Sequence, residues 1–438
     1  MATKYKPYPA YKDSGISWLG EVPAHWEMKP TKRFADFFTG WTPPTGNSDY
    51  FSGNNLWANI SDIGPRILND TAKRISDEAV SVSRLKKSPV GSLLFSFKLS
   101  IGQVSIVGNE MFTNEAIATF PQYKDVNIQY LYWSAPIFIP RNAEDNIYGA
   151  KLLNQERIKN ALFALPPSQE QEAIATFLDR ETVKIDTLIA KQEHLIELLQ
   201  EKRTALISHA VTKGLNPDVS MKDSGVEWSG EVPEHWVHTP IKHTLFGLID
   251  TEHKTAPFFD DGEYFVVRTT NIKNGKIIFD GAKYTDEAGY IEWTRRGKPF
   301  PGDIIFTREA PAGEACLVPG NLPICIGQRT VLMRINHSLL ESRFGLWSLY
   351  GGLASDFIAQ LSQGSTVVHF NMGDIGNIPI MLPTLSEQKE IADFLDRETI
   401  KIDALIQKAC HAIDLLKERR TALISAAVTG KIDVRDRV

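Results

Sequence analysis

Leu165–Leu215, LPPSQEQEAIATFLDRETVKIDTLIAKQEHLIELLQEKRTALISHAVTKGL, decides the fold, because the chain writes it twice. It returns without a gap as Leu382–Ile432, LPTLSEQKEIADFLDRETIKIDALIQKACHAIDLLKERRTALISAAVTGKI, with 32 of 51 positions identical. Identity at that level, between flanks that align poorly, marks a duplicated structural unit. Ser168–Lys213 and Ser386–Thr429 contain no Gly and no Pro, which predicts one long helix in each copy. Pro166-Pro167 before Ser168-x-x-Gln171, and Pro383 before Thr384-x-x-Glu387, read as a stop followed by a capping box. Gly214 and Gly430 stand where C-terminal caps belong.

Heptad spacing joins Leu178, Ile185, Leu199 and Leu206 into one seam, with Gln192 inside it. A parallel register gives Ile174, Leu188 and Leu195, and Ile189 with Ile196 widens the apolar surface. The second copy supplies Leu395, Ile402, Leu405, Leu416 and Leu423, with Ala409 replacing Gln192. Some 40 helical residues make a rod of roughly 60 Å. Two such rods favour a coiled-coil pair over the alternative, two core helices of one large domain, because core helices usually run 8–20 residues. An antiparallel pair implies an approximate twofold axis. Each intervening block then feeds the N-terminus of its own rod, and the two blocks lie at opposite ends.

Outward from the rods, Lys12–Trp26 (KDSGISWLGEVPAHW) returns as Lys222–Trp236 (KDSGVEWSGEVPEHW). Its closing His-Trp pairs, His25-Trp26 and His235-Trp236, read as a Pro-turn that tucks a Trp onto the following domain. The stretches between the repeats are variable. The expected organisation is therefore 1–164, variable domain; 165–215, constant helix; 216–381, variable domain; 382–438, constant helix and tail. Within the variable blocks Leu56–Ile60, Ser92–Phe97, Gln103–Val107, Tyr264–Thr270, Lys276–Phe279, Asp303–Thr307 and Thr330–Ile335 are β-rich and bounded by turn residues. Pro89–Gly108 and Phe300–Gly320 correspond weakly, as two diverged copies of one domain would. The fold class expected is α+β: two α/β domains with β-sheet cores, joined by two long helices in an antiparallel coiled coil with a pseudo-twofold internal repeat.

Composition agrees with this size. A chain of 438 residues with 42% apolar and 23% charged residues is an ordinary globular protein of two or more domains. No apolar run approaches a membrane span, and Met1–Tyr11 lacks the apolar core of a signal peptide. Cys316, Cys325 and Cys410 form no ligand spacing, so neither a disulfide framework nor a zinc ribbon is expected, and the default is a reduced cytoplasmic protein.

Catalytic signatures are missing: GxxxxGK[ST], GxGxxG after a strand, HExxH and GxSxG do not occur, nor does an Asn/Asp-Pro-Pro-aromatic element. The ten histidines show no metal-like grouping, and His194 with His411, at matching places in the rods, reads as packing. Net charge is −5, but it is uneven. Residues 1–160 carry 18 basic and 15 acidic groups, and residues 214–380 carry 14 and 20. The acidic second block argues against nucleic acid. Duplex reading needs only a local face of guanidinium, ammonium and amide donors, however. One such cluster is Arg268, Thr270, Asn271 and Lys273, with Arg308, Gln328 and Arg329. The other follows the matching strand: Asn59, Ser61, Arg66, Lys73, Arg74 and Lys98, with Arg84 and Lys86-Lys87. Arg and Lys pair with guanine edges, Asn and Gln with adenine edges. For any one of these residues a solvated surface role competes.

On the paired KDSG-x-x-W-x-GE-V-P-x-HW segments and the paired FLDRET…KID…RTALIS blocks, the chain resembles the DNA-specificity subunit of a type I restriction–modification system. The order recognition domain, spacer, recognition domain, spacer matches that family over nearly the whole chain. The resemblance implies a non-catalytic subunit whose two target-recognition domains each read half of an asymmetric bipartite duplex, with the coiled coil setting the gap. It further implies two methyltransferase subunits and ATP-dependent motor–nuclease subunits as partners. S-adenosylmethionine, ATP and Mg are then expected on those partners and none on this chain. Two other classes remain: a coiled-coil scaffold with protein-binding end domains, and an enzyme with an unrecognised site.

Overall fold

The computed structural model describes residues 5–83, 85–145, 151–225, 230–251, 254–362 and 369–437. Both constant blocks are single helices, Ser168–Lys213 of 46 residues and Leu385–Val428 of 44. Away from their ends, where each helix packs on the domains, the seam positions recur in steps of three, four or seven. On the first helix they are Leu178, Thr182, Ile185 and Leu199, with Ile189, Gln192 and Ile196 half-buried between them. On the second they are Leu395, Thr399, Ile402, Ala409, Ile413 and Leu423, with Ile406 and Leu416 half-buried. Leu206 on the first helix is half-buried at the same heptad position. This is a coiled-coil seam. Its second line runs through Thr182, Ile189 and Ile196, so Leu188, Leu195 and Leu405 lie outside it and are 44%, 42% and 50% exposed. The expected register through Leu188 and Leu195 is corrected on that point. The cause is helical geometry: Leu188 and Ile189 point about 100° apart, and Ile189 is the one that faces the seam.

The helix starts differ between copies. Thr384 and Glu387 form the expected capping box, with Thr384 Oγ1 donating to Glu387 Oε2 at 2.8 Å. Ser168 forms none: the helix starts on it, and the Glu170 and Gln171 amides donate to the Pro167 carbonyl. Gly214 and Gly430 close the helices at φ +77° and +72°, a region where a side chain is strained. A Cβ on Gly430 would also collide with Pro23.

The chain divides into two units, residues 1–191 with 412–438, and residues 192–411. In the first, a five-stranded sheet runs in the order Phe38–Thr39, Ile117–Phe120, Leu93–Ser96, Val104–Val107, Ile67–Leu68. A three-stranded sheet places Asn55–Ala58 between Phe112–Thr113, parallel to it, and Lys73–Ile75, antiparallel. In the second unit a four-stranded sheet runs Leu245–Asp250, Thr330–Ile335, Ile304–Thr307, Ala315–Leu317. Its three-stranded sheet sets Tyr264–Val267 between Tyr284–Thr285 and the parallel Ile324–Ile326. The strand orders match, apart from the extra edge strand Ile67–Leu68. In each unit a two-stranded ladder joins the residues after the His-Trp pair to those before the long helix: Glu27–Pro30 with Leu162–Leu165, and Val237–Pro240 with Pro379–Leu382.

The weak correspondence of Pro89–Gly108 with Phe300–Gly320 is close in backbone terms. Gly91, Leu99 and Gly102 have φ of +81°, +58° and +93°, and Gly302, Ala310 and Gly313 have +88°, +52° and +89°. The Gly102 and Gly313 amides donate to Ser96 O and Thr307 O, equivalent carbonyls. Two diverged sequences thus trace one hairpin.

Within the first unit, the Glu170 end of one helix meets the Gly430 end of the other through Trp26, while Asp186 pairs with Arg420 at 2.9 Å. The helices are therefore antiparallel. Arg203 with Asp403 at 3.1 Å repeats the pair in the second unit, where Trp236 lies on Gly214. His194 and His411 are exposed, and His194 faces Glu197, so the packing expected for them is corrected. Cys316 and Cys325 are buried thiols, both pushed up to about 12 chiefly by burial, and Cys410 is exposed. No helix among the described residues is long and apolar enough to cross a membrane.

Candidate nucleic-acid interface

In each variable domain a core strand ends in a single 3-10 turn. After Asn55–Ala58 the turn Ile60–Asp62 is capped by Asn59, whose Oδ1 accepts the Ser61 amide at 2.8 Å. Asp62 accepts the Asn59 amide in return. After Tyr264–Val267, Asn271 accepts the Arg268 amide at 3.2 Å around the turn Thr269–Asn271. Ser61 and Thr270 occupy the same turn position, and both are exposed.

Several of the candidate donors are used internally. Asn271 is fully buried, and its amide donates to Ile278 O and Asp280 O, so it has no path to a base edge. Arg308 is buried too: Nη1 grips both oxygens of Asp250 at 2.8 and 2.9 Å, and Nε donates to Phe370 O. These two assignments are corrected, because a buried polar group must be satisfied inside the fold: Asn271 closes its own turn, and Arg308 is held by Asp250 and Phe370 from distant parts of the chain. Arg66 is likewise held inward, by Asp179 at 2.7 and 2.9 Å, with its guanidinium 3.9 Å from the Tyr132 ring. Arg268 donates to Gly281 O at 2.6 Å. Arg74 pairs with Asp70 at 2.9 Å on the surface.

What remains displayed is Ser61, Lys73 and Lys98 in the first domain, and Thr270, Lys273 and Arg329 in the second, with Gln328 half-buried. Lys98 and Glu309 stand at the same place in the matching hairpins. Glu309 takes His369 at 2.9 Å and Arg329 at 2.8 Å. The His369 hydrogen bond first, then the nearby guanidinium charges, hold its carboxyl below the usual range against the opposing effect of burial. Arg329 carries φ +72°, an uncommon conformation for a residue with a side chain, and is half exposed. Arg84 lies outside the described residues.

Sequence reasoning missed the residues that seat each domain on its helix. In the first unit the short helix Ile128–Phe138 presents Trp133, whose Nε1 donates to Asp179 Oδ1 at 2.7 Å. The Asn127 amide at its start donates to Gln171 Oε1 at 2.9 Å, and Gln171 Nε2 donates to Pro166 O. In the second, Ser342–Leu349 presents Trp347 to Asp396 Oδ1 at 2.8 Å. There the Glu341 amide donates to Gln388 Oε1 at 2.8 Å, and Gln388 Nε2 to Pro383 O. Gln171 and Gln388, Asp179 and Asp396 are equivalent positions of the constant blocks. The available signal was a shared Trp-Ser pair, Trp133-Ser134 and Trp347-Ser348, inside otherwise dissimilar domains. Among the described residues no group of three or more His, Cys, Asp or Glu is placed to hold a metal ion.

Residues 23–198 and 251–409 match the family described as type I restriction modification DNA specificity domain. A putative type I restriction enzyme MjaX specificity subunit of Methanocaldococcus jannaschii is 24% identical, over 95% of this chain and 96% of its own. The type I restriction enzyme MjaIX specificity subunit of the same organism is 22% identical over 99% of each. The fold is that of the HsdS subunit from Thermoanaerobacter tengcongensis, at 17% identity and a TM-score of 0.54 over 94% of this chain and 98% of that one. A chain from a structure on complex assembly and conformational transition of the type I R-M system reaches a TM-score of 0.70 at 16% identity, over 93% and 98%. The chain belongs to the type I restriction–modification DNA-specificity family, and it is a sequence-specific DNA-recognition subunit rather than a catalytic one.

Proposed function

We propose that the chain reads an asymmetric DNA target in two parts, residues 1–164 taking one half and residues 216–381 the other. The two constant helices, within 165–215 and 382–438, set the gap between the halves. One observation carries this: a single backbone frame occurs twice and carries unlike side chains at equivalent points, Lys98 against Glu309 and Asn59 against Arg268, so the surfaces built around them differ. Two such surfaces suit two different half-sites. Lys73, Lys98 and Lys273 supply phosphate contacts, while Ser61, Thr270, Gln328 and Arg329 face base edges. Asn59, Arg66, Arg74 and Arg268 hold the turns and surfaces that carry them.

The partners are two methyltransferase subunits, with motor–nuclease subunits completing a cytoplasmic restriction complex. S-adenosylmethionine, ATP and Mg belong to those subunits. Supporting this, each unit exposes a matching leucine pair on its helices, Leu188 with Leu415 and Leu405 with Leu198, 44–51% exposed. A face repeated in this way suits a partner present in two copies.

The test is to replace Val237–Met381 with the corresponding block of another family member and to map methylated adenines in cells that also express the methyltransferase subunit. One half of the motif changes and the other stays. A change in both halves, or in neither, refutes the assignment. Arg329→Ala weakens specific binding by about 1–3 kcal/mol if the guanidinium reads a guanine edge. Four residues inserted into each long helix, after Gln192 and after Ala409, add ~6 Å and about 40° of rotation. That matches a gap longer by one or two base pairs, at ~3.4 Å and ~34–36° each. An unchanged gap removes the helices as the ruler.

A further inference from the structure

We propose that Trp133 and Trp347 are positioning residues that fix the orientation of each recognition domain on its helix pair, and so its selectivity for the gap. This rests on the bipartite reading above.

The geometry recurs in two domains that share almost no sequence. Each indole is buried, and its N–H donates to the aspartate of an FLDRET segment, Asp179 at 2.7 Å and Asp396 at 2.8 Å. A guanidinium of the other long helix lies near the ring: Arg420 is 5.8 Å from the Trp133 centroid, and Arg203 is 5.6 Å from that of Trp347. Those arginines are the ones that pair the two helices, with Asp186 and Asp403. One side chain of the variable domain therefore touches both helices at the ion pair that defines their register. An N–H···carboxylate bond is directional and charge-assisted, and an arginine near an aromatic ring adds attraction. Together they resist rocking of the domain about the helix axis.

A second guanidinium reaches each aspartate, from a different place in each domain. Arg66 comes from the loop before Ile67–Leu68, whereas Arg343 comes from the docking helix itself and contacts Asp396 at 3.0 Å. The constant helix thus offers one socket, Gln171 with Asp179 or Gln388 with Asp396. Domains of different sequence meet it with the same indole and with independently placed arginines. The base-facing turns lie elsewhere in the domain, so loosening the socket leaves the half-site bases unchanged and relaxes the distance at which that half-site is accepted.

The experiment compares methylation by the full chain with its methyltransferase subunits, wild type against Trp347→Phe. The substrates are duplexes carrying both half-sites at the native gap and at gaps one base pair shorter and longer. Losing a hydrogen bond to a charged group corresponds to about tenfold, and the preference for the native gap is expected to fall by that factor while the half-site bases stay the same. Uniform loss at every gap would assign Trp347 to folding stability alone and overturn the proposal, as would an unchanged preference. Asp396→Asn, which keeps an oxygen acceptor but removes the charge, is read the same way if Trp347→Phe does not fold. A wild-type chain that shows no gap preference would instead refute the bipartite reading itself.

Discussion

The two junctions where a lead-in segment meets its long helix are built from nearly the same words, KDSG…GEVPxHW and a helical Glu, yet they bond differently. In the first, Glu170 is buried and receives Trp26 Nε1 at 2.9 Å, His25 Nε2 at 2.8 Å and the Tyr8 hydroxyl. In the second, Glu387 is partly exposed and shared between His235 and Thr384, while the buried Trp236 Nε1 has no hydrogen-bond partner among the described residues. Two substitutions explain the divergence. Where the second copy has Thr384, the first has Pro167, which offers neither hydroxyl nor amide to compete for the carboxylate. Where the first has Tyr8, the second has Asp218, which would repel it. A repeated motif therefore fixes position, and the residues beside it decide which bonds form.

The largest expected contrast is between the two glutamates. Glu170→Ala strands two buried donors, Trp26 Nε1 and the Tyr8 hydroxyl, and releases the exposed His25, and should cost about 3 kcal/mol, whereas Glu387→Ala loses a cap and an exposed pair, about 1 kcal/mol. Denaturant unfolding, with hydrogen exchange to assign the loss to each unit, measures both; equal losses would erase the distinction. Tyr8→Phe removes one charge-assisted bond and should cost about 1.5 kcal/mol, localised to the first unit. Thr384→Pro recreates the first junction's helix start in the second. It should free Glu387 for Trp236, slowing exchange of that indole N–H, with a net stability change within about 1 kcal/mol. If the indole N–H exchanges as before, Thr384 is not what draws the carboxylate away.

The smallest effect concerns pH. Burial pushes the Glu387 carboxyl up, but hydrogen bonds from His235 and Thr384 outweigh it and leave it below the ordinary 4.5. The unfolded state then binds more protons in acid, so this contribution is present above pH 4.5 and is lost as pH falls through the lowered value. Glu387→Gln should flatten that part of the acid unfolding profile, and a profile identical to wild type would show the pairing to be energetically silent.

Much of this was readable from the chain. The strand Thr330–Ile335 was visible in TVLMRI, and the helix limits in the absence of Gly and Pro. The candidate interface was less so. Arg268 and Asn271 were legible as polar residues at a strand end, but not which way they turned. Nothing in Arg-Thr-Thr-Asn says that Asn271 closes a 3-10 turn, since that depends on carbonyls at Ile278 and Asp280 presented by a later hairpin. Leu188 against Ile189 is a related case: adjacent apolar residues both suit a heptad, and only the partner helix selects one.

By itself the sequence determined what is local or repeated: two long helices, two lead-ins, two diverged copies of a mixed domain and the family they belong to. Helix propensity, capping and seven-residue periodicity act within a few turns of chain, so their signals survive in a linear string. Only the tertiary structure decided which polar side chains are used internally and which are displayed. A buried donor must find an acceptor wherever the fold supplies one, and the acceptors for Trp133, Arg66 and Arg308 lie 46, 113 and 58 residues away.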